Sequence, residues 1–268
     1  VMRAAAENLT PVTLELGGKS PAIVHRKADL KHAVQRIVFA KVLNAGQTCI
    51  AVDYAMVPRE LEGRFVELVN AQLDAFLGGR VADNPDFTSI ITDRHRARLE
   101  QLVADAVAKG ARITRYGSDD PASAGKVAPT ILQGVDDTMD VMREEIFGPL
   151  LPVVPYDTLE QALAWVNARP RPLALYYFDR DERRIDQVLT GTHAGGVCVN
   201  DTLLHGAQED IPFGGVGESG MGAYHGREGF LSLSHAKAVF HQRRIRLTWL
   251  FNPPYGQAVR TILKAVVG

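Results

Sequence analysis

The sequence predicts an α/β fold, layered around a mainly parallel sheet. Short apolar runs with the length of buried strands alternate with longer segments whose apolar residues recur at helical spacing. The alternation continues from about residue 11 to residue 200, and it is the order that consecutive βαβ units produce.

The first half of the chain is expected to contain three strands and four helices. Residues 1–9 have the composition of a helix body without a capping residue, so the chain is expected to begin inside a domain. Asp29 suits the start of the second helix, and Gly110 suits the end of the fourth. In order, the elements are helix 1–9, strands 11–16 and 21–25, helix 29–42, strand 53–57 and helices 61–77 and 94–109.

The second half continues the pattern after a small, polar stretch at 118–125, which is expected to form an exposed turn. A glycine-rich segment, 212–222, then interrupts the alternation. The predicted elements are strands 127–132 and 151–156, helix 158–168, strand 173–178, helix 182–189, strands 196–200 and 236–242, and a short helix at 257–267.

Composition excludes several classes of protein. Of the 268 residues, 46% are hydrophobic and 23% are charged, which is typical of a globular domain. The net charge of −1 lacks the basic footprint of a nucleic-acid binder. Two cysteines are too few for a disulfide framework, so a reducing, cytoplasmic location is expected. No signal peptide is visible, and no apolar run reaches the ~18–20 residues of a membrane span.

Cys49 is the first candidate catalytic residue. It lies in the loop sequence N-A-G-Q-T-C, between a predicted helix and a predicted strand. A cysteine thiolate attacks carbonyl carbon well and is a good leaving group afterwards. Gly46 would let the loop backbone approach a substrate closely. The alternative is a structural cysteine, which is also how Cys198 in its apolar run is interpreted.

Glu15 is the second candidate. It is the single acidic residue in V-T-L-E-L-G-G-K, at the carboxyl end of a predicted strand, where ligands of open α/β sheets collect. A carboxylate beside glycines can act there as a general base. The alternative is an exposed strand residue, because Thr13 and Glu15 share a face.

Glu145 and Phe147 form a third candidate group, in R-E-E-I-F-G-P. In an extended segment two residues at this spacing point the same way, so a carboxylate for ribose hydroxyls would lie beside a ring for a flat heterocycle. The alternative is the entry to a strand, ended by Gly148 and Pro149.

The glycine-rich stretch has two interpretations. Six glycines fall between Pro212 and Gly226, but without the spacing of a phosphate-binding loop, so a structural loop that lines the site is preferred over a phosphate cradle. The histidines and cysteines show no metal-ligand spacing, and no metal is expected.

Together these segments resemble the aldehyde dehydrogenase superfamily. L-E-L-G-G-K-S-P (14–21), N-A-G-Q-T-C-I-A (44–51), E-E-I-F-G-P (144–149) and P-F-G-G-V-G-E-S-G-M-G-A-Y-H-G (212–226) look like four motifs of that family, in the family's order. The forms G-M-G-A-Y-H-G and the late P-P-Y are most similar to its class-3-like branch, which includes fatty, aromatic and coniferyl aldehyde dehydrogenases. The resemblance implies a three-layer catalytic domain.

The resemblance also implies a mechanism. Cys49 would add to an aldehyde, either aromatic such as coniferyl aldehyde or a medium- to long-chain aliphatic one, and Glu15 would activate the water that hydrolyses the resulting thioester. The backbone N–H of Cys49 would hold the oxyanion together with an upstream asparagine. Phe213 and His205 would form walls of the aldehyde channel.

The implied cofactor is NAD or NADP, with NAD favoured. Glu145 would hold the nicotinamide ribose and Phe147 would flank the nicotinamide. The backbone at Leu16 and Gly17 would lie beside its carboxamide. The family's Rossmann strands and its oxyanion asparagine precede these motifs, so this chain by itself is expected to bind NAD poorly and to be nearly inactive.

Three regions are expected on this basis: a remnant of the NAD-binding domain at 1–25, a catalytic domain at 26–232, and an oligomerisation strand with a C-terminal tail at 233–268. The strand 236–242 resembles the family's intersubunit strand and implies a homodimer. In the tail, Trp249, Leu250 and Phe251 suggest an apolar anchor, for which docking on the protein's own surface is preferred over membrane contact.

Two other classes of function stay open at this point. A thiol hydrolase, an acyl transferase or a CoA-acylating aldehyde dehydrogenase would share the reactive cysteine. The first two need a histidine beside it, and none lies in the loop around Cys49. A non-catalytic assembly module would share the exposed strand edge.

Overall fold

The structure is a computed structural model that describes residues 1–117, 124–245, 248 and 252–267. Most of the predicted turn at 118–125, and the apolar triplet Trp249 to Phe251, lie outside the described residues. The chain divides into two compact units, Val1–Leu233 and Ser234–Gly268. The main sheet belongs to the first unit.

The described residues form nine strands and nine helices. The strands are β1 (Leu14–Glu15), β2 (Pro21–Val24), β3 (Tyr54–Pro58), β4 (Arg112–Arg115), β5 (Thr130–Gln133), β6 (Leu150–Tyr156), β7 (Ala174–Phe178), β8 (Gly196–Val199) and β9 (Gly220–Met221). The helices are α1 (Met2–Ala6), α2 (Leu30–Val42), α3 (Glu62–Leu77), α4 (Asp93–Ala108), α5 (Asp140–Arg143), α6 (Leu159–Asn167), α7 (Glu182–Gly191), α8 (Gly226–Ser232) and α9 (Gln257–Val267).

Seven of these strands form one sheet in the order β4-β5-β6-β3-β2-β7-β8. Every neighbouring pair is parallel except β4 and β5. The predicted α/β fold with a mainly parallel sheet is therefore confirmed. β1 and β9 form a separate antiparallel pair, in which Glu15 is opposite Gly220.

Burial explains why the central strands carry continuous apolar runs. All residues of β2, β3 and β7 are buried, as expected for strands covered on both faces. The connection through α2 leads from β2 to β3 in one direction along the sheet, and the connection through α6 leads from β6 to β7 in the other. Because such crossovers are right-handed, α2 and α6 cover opposite faces and produce three layers.

Local sequence signals set several helix ends. The Asp29 side chain accepts a hydrogen bond from the His32 backbone N–H at 3.2 Å, so the predicted cap of α2 is confirmed. α6 begins with a capping box, in which Thr158 and Gln161 bond reciprocally. No helix among the described residues is long and apolar enough to cross a membrane.

Some predicted elements are wrong. The strand predicted at 11–16 is shortened to the two residues of β1, because its partner β9 is also two residues long. The segment 236–242 is fully exposed and forms no strand in the single chain, where no neighbouring backbone supplies a ladder. β4, α5 and α8 were not predicted. β4 is an exposed edge strand without apolar alternation, and the two helices are only four and seven residues long.

Candidate active site

The candidate residues lie on loops that lead into strands of the main sheet. Gly17 precedes β2, Cys49 precedes β3 and Glu145 precedes β6, so the loops meet at the amino ends of parallel strands. Glu15 is the last residue of β1, so its predicted place at the carboxyl end of a strand is confirmed. The expectation that this strand belongs to the open main sheet is wrong, because β1 pairs only with β9 and the chain enters β2 six residues later.

The loop that carries Cys49 is tightly wound. Asn44, Ala45 and Gly46 have consecutive positive φ angles of 50°, 52° and 71°. A Cβ on Gly46 would lie 2.4 Å from the carbonyl oxygen of Gly148, so only glycine fits. Gly46 therefore lets its loop approach the segment that carries Glu145, whereas the sequence predicted a close approach to a substrate. The two candidate loops are packed directly against each other.

The Cys49 thiol is half-buried beside a carboxylate. Burial, a hydrogen bond to Glu15 and the negative charges of Glu15 and Glu145 raise the pKa of Cys49 to about 12. The thiol is therefore protonated at neutral pH in this state. Both side chains that raise its pKa, Glu15 and Glu145, are carboxylates and not imidazoles.

Glu15 is exposed, yet its carboxylate is held on a second side. The hydroxyl of Tyr224 donates a hydrogen bond of 2.6 Å to its Oε2 atom. The exposed face shared by Thr13 and Glu15 is confirmed, and the charge of Glu15 nevertheless acts on the Cys49 thiol. Neither Tyr224 nor its role was predicted from the sequence. The signal available in the sequence was that Tyr224 is the only tyrosine between Pro212 and Gly226.

Glu145 lies against the glycine pair that follows Glu15. A Cβ on Gly17 would be 2.5 Å from Glu145 Oε2, and the backbone N–H of Gly18 donates to the same carboxylate. Burial raises the pKa of Glu145 to about 7, and the hydrogen bond from Gly18 opposes this shift. The structure thus brings Glu145 together with Gly17 and close to Cys49. The backbone of Leu16 is joined to Ser219 by a hydrogen bond of 2.9 Å.

Phe147 differs from the expectation. Its φ of 52° is left-handed, so 145–147 is not a regular extended segment and the assumed side-chain alternation does not apply. His95 Nε2 lies 2.7 Å from the Phe147 carbonyl oxygen, and the two rings are 6.1 Å apart. The Phe147 side chain remains 37% exposed, which leaves it free to contact a ligand.

An ion pair that was not predicted from the sequence joins these loops. The Lys19 ammonium pairs with Asp53 and donates 2.8 Å hydrogen bonds to the carbonyls of Val141 and Glu144. The second Asp53 oxygen accepts the backbone N–H of Ile146 at 2.9 Å. The possible signal was a lone acid, Asp53, at the start of an apolar strand.

A second buried lysine supports the same loops. Lys41 lies on α2 and donates to the Gly148 carbonyl at 3.0 Å. Burial lowers its pKa to about 8, while Asp53 opposes this shift. The signal available in the sequence was the position of Lys41 within the apolar face of a predicted helix.

The predicted channel residues lie in one aromatic cluster. His205 and Phe213 are both buried, with ring centroids 6.0 Å apart, and Tyr224 lies 5.5 Å from Phe213. Neither ring nitrogen of His205 has a hydrogen-bond partner within the described part of the chain, and burial lowers its pKa. Cys198 is half-buried and packs against the core, which agrees with its interpretation as a structural cysteine.

The glycine-rich loop folds on itself. A Cβ on Gly214 would lie 2.1 Å from the Gly222 carbonyl, and one on Gly215 would lie 2.1 Å from the Ser219 carbonyl. Its glycines therefore serve backbone packing, which favours the structural interpretation over a phosphate cradle. Among residues 1–117, 124–245, 248 and 252–267, no group of three or more potential metal ligands is found.

A cavity of about 490 Å³ lies beside the Glu145 carboxylate. Its lining includes Leu16, Gly17, Tyr54, Glu145 and Arg171. Cys49 is not among the lining residues.

The comparisons with known proteins cover nearly the whole chain. Residues 1–239 match the aldehyde dehydrogenase family. The chain is 54% identical over 263 residues to a probable coniferyl aldehyde dehydrogenase of Pseudomonas aeruginosa, covering 98% of this chain and 55% of that protein. It is 45% identical over 272 residues to the coniferyl aldehyde dehydrogenase of Pseudomonas sp. strain HR199, covering 100% of this chain and 56% of that protein.

A solved structure agrees with these sequence relationships. The substrate-bound state of Staphylococcus aureus AldH superposes with a TM-score of 0.90 at 39% identity, covering 100% of this chain and 57% of that one. The chain therefore spans about half the length of the relatives it matches.

Proposed function

The chain belongs to the aldehyde dehydrogenase family, and on that premise we propose that its site serves the NAD(P)⁺-dependent oxidation of an aldehyde to a carboxylic acid. The observation that carries the proposal is that the Glu15 carboxylate lies close enough to the Cys49 thiol to raise its pKa, and that Glu145 acts on the same thiol. A nucleophile with a carboxylate base nearby is what a covalent route through sulfur requires.

In the proposed route, Cys49 and Glu15 act in sequence. The Cys49 sulfur bonds to the aldehyde carbon as its proton passes to Glu15, and the backbone N–H of Cys49 stabilises the oxyanion. After oxidation the acyl group remains on sulfur as a thioester. Before hydrolysis Glu15 releases the thiol proton to solvent and is again a carboxylate. It then takes a proton from the attacking water, the C–S bond breaks and the acid leaves.

The residues around Gly17 fit a cofactor. The Glu145 carboxylate lies against Gly17, and a carboxylate can accept hydrogen bonds from ribose hydroxyls, so Glu145 would hold the sugar. Phe147, which is partly exposed, would flank the nicotinamide, and the backbone at Leu16 and Gly17 would lie beside its carboxamide. When bound, NAD(P)⁺ supplies the hydride acceptor for the oxidation. We propose NAD as the preferred form.

The proposed substrate is an aromatic aldehyde of the coniferyl type. Two relatives at 54% and 45% identity carry that name, and the aromatic cluster of His205, Phe213 and Tyr224 offers rings against which an aromatic substrate can pack. A medium- or long-chain aliphatic aldehyde is the alternative. A panel of both kinds separates them by their kcat/KM values.

The test uses these 268 residues in two forms. Joined behind the upstream half of the Pseudomonas aeruginosa relative, the chain should reduce NAD⁺ when coniferyl aldehyde is added. The Cys49→Ala variant of this fusion should not, and retained dehydrogenase activity in it would overturn the assignment. The chain alone is proposed to bind NAD weakly and to be nearly inactive, which aldehyde oxidation at the rate of the fusion would refute.

We also propose that the segment 236–242 mediates a homodimer. Val239 and Phe240 in this segment are 65% and 87% exposed, and the segment forms no ladder in the single chain. Exposed apolar residues on an unpaired extended segment favour pairing with a second copy. Sedimentation as a clean monomer at micromolar concentration would count against this interface and against an assembly role.

A further inference from the structure

We propose that Tyr224 is the positioning residue that holds the Glu15 carboxylate in place beside Cys49. This inference rests on the proposed function, because it assigns to Glu15 the proton transfer in thioester hydrolysis. Its geometric basis is the 2.6 Å hydrogen bond from the Tyr224 hydroxyl to Glu15 Oε2.

Glu15 needs such a partner because its own surroundings are open. Its side chain is exposed, and it belongs to a strand of only two residues. A glutamate in that setting samples several rotamers, and each rotamer change moves the carboxylate away from the sulfur. The hydroxyl of Tyr224 bonds this carboxylate, and the Cys49 thiol lies near enough for the charge of Glu15 to raise its pKa.

Tyr224 is itself held from three directions. Its backbone exchanges two hydrogen bonds of 2.8 Å with Phe213. Its ring makes edge contacts with Phe213 and His225, at 5.5 and 4.8 Å between centroids. Behind it, a Cβ on Gly229 would lie 3.3 Å from the Tyr224 backbone, so α8 packs closely against it. These contacts hold the Tyr224 hydroxyl in one position, from which it can orient the more mobile Glu15 carboxylate.

The strand pair sets the distance between the two residues. Glu15 is opposite Gly220, four residues before Tyr224. A Cβ on Gly220 would lie 2.1 Å from the Leu14 carbonyl, so glycine is required for the pairing. The glycine-rich loop therefore has a role in the site: it brings a tyrosine to the base.

A phenol suits both protonation states of the base. It donates a hydrogen bond to the carboxylate, and its oxygen accepts one when the carboxyl group has taken a proton. Burial and the bond to Glu15 raise the pKa of Tyr224 to about 12, so the hydroxyl keeps its proton at neutral pH. Tyr224 thus keeps Glu15 oriented before and after proton transfer.

The test isolates hydrolysis from acylation, needs no added cofactor, and is carried out on the fusion with the upstream half of the Pseudomonas aeruginosa relative. p-Nitrophenyl acetate acylates Cys49: the sulfur bonds to the carbonyl carbon, nitrophenolate leaves, and mass spectrometry locates the acetyl group. Excess ester is then removed and the loss of acetyl is followed. In that step water adds to the carbonyl, Glu15 takes its proton, the C–S bond breaks and acetate leaves.

In Tyr224→Phe, hydrolysis of the acetyl group by water should slow by about tenfold to a hundredfold, the effect of losing a hydrogen bond to a charged group. Its removal by hydroxylamine, a strong nucleophile that needs no base, should keep the wild-type rate. A structural defect would change both rates. Tyr116→Phe is the control for loss of a tyrosine–carboxylate bond elsewhere in the chain, since it removes the 2.9 Å bond to Asp74 together with the 2.7 Å bond accepted from the Gly79 N–H.

Three outcomes would be decisive. Equal water rates in wild type and Tyr224→Phe would overturn the role of Tyr224 and leave the proposed function intact. Slowing of both the water and the hydroxylamine reactions would also overturn it, because the reaction with hydroxylamine does not need Glu15 as a base. Absence of acetyl on Cys49 in the wild type would contradict the proposed function itself.

Discussion

Lys19 and Asp53 form the ion pair at which three separate loops of the site meet. Asp53 is almost fully buried, and its other oxygen accepts the Ile146 backbone N–H. The ammonium of Lys19 also reaches two carbonyls of the segment that precedes Glu145. The loops before β2, β3 and β6 are therefore cross-linked by one buried pair of charges.

Asp53→Asn should destabilise the chain by about 3–5 kcal/mol, because it leaves the mostly buried Lys19 ammonium without its counter-charge. Urea denaturation followed by circular dichroism measures the change. Glu100→Gln is the control, since Glu100 pairs with Arg115 at a site where both side chains are 42% exposed. A loss in Asp53→Asn no larger than in this control would contradict the structural role of the pair.

Glu15→Gln should make Cys49 more reactive. Burial is the largest cause of the raised pKa of Cys49, but the bond to Glu15 and its charge follow, and this substitution removes the charge. Iodoacetamide should alkylate Cys49 about threefold to tenfold faster at pH 8, because each unit in pKa is tenfold in thiolate. Cys198 is the internal control, since burial and Asp201 raise its pKa. An unchanged rate at Cys49 would mean that the two side chains do not interact.

Glu145 should make stability depend on pH. Its pKa is about 7 in the folded chain against an ordinary value of 4.5, so between these values the folded state binds more protons than the unfolded state. The free energy of unfolding should then fall as pH rises from about 4.5 to about 7. In Glu145→Gln this fall should shrink by about 1 kcal/mol, allowing for partial exposure to water. Glu144→Gln, at the exposed neighbour, is the control and should keep the slope.

Gly17→Ala, compared with Gly78→Ala, should distinguish the cost of backbone strain from the effect of displacing the Glu145 carboxylate. Gly17 and Gly78 have φ angles of 80° and 63°, so alanine at either should cost about 1 kcal/mol of backbone strain. A Cβ meets nothing within 4 Å at Gly78 but meets the Glu145 carboxylate at Gly17. Only Gly17→Ala should therefore alter the pH-dependent stability due to Glu145. The same unfolding titration shows this, and an identical profile in both variants would contradict the contact.

Much of the fold could be predicted because its signals are local. Continuous apolar runs identified β2, β3 and β7, since strands covered on both faces need no polar residues. β4 was missed because an exposed edge strand carries no such pattern. The segment 236–242 was predicted as a strand because its residue types suit one, but a strand forms only where another backbone supplies hydrogen bonds.

The sequence by itself determined the fold class and singled out Cys49, Glu15 and Glu145, because reactive residue types in a fixed order of motifs can be read along the chain. Only the tertiary structure decided that Tyr224 bonds Glu15, that Lys19 pairs with Asp53, and that the site lies at the amino ends of the strands. The physical reason is distance along the chain. Tyr224 and Glu15 are 209 positions apart, and only the folding of the sheet and the glycine-rich loop brings their oxygens to 2.6 Å.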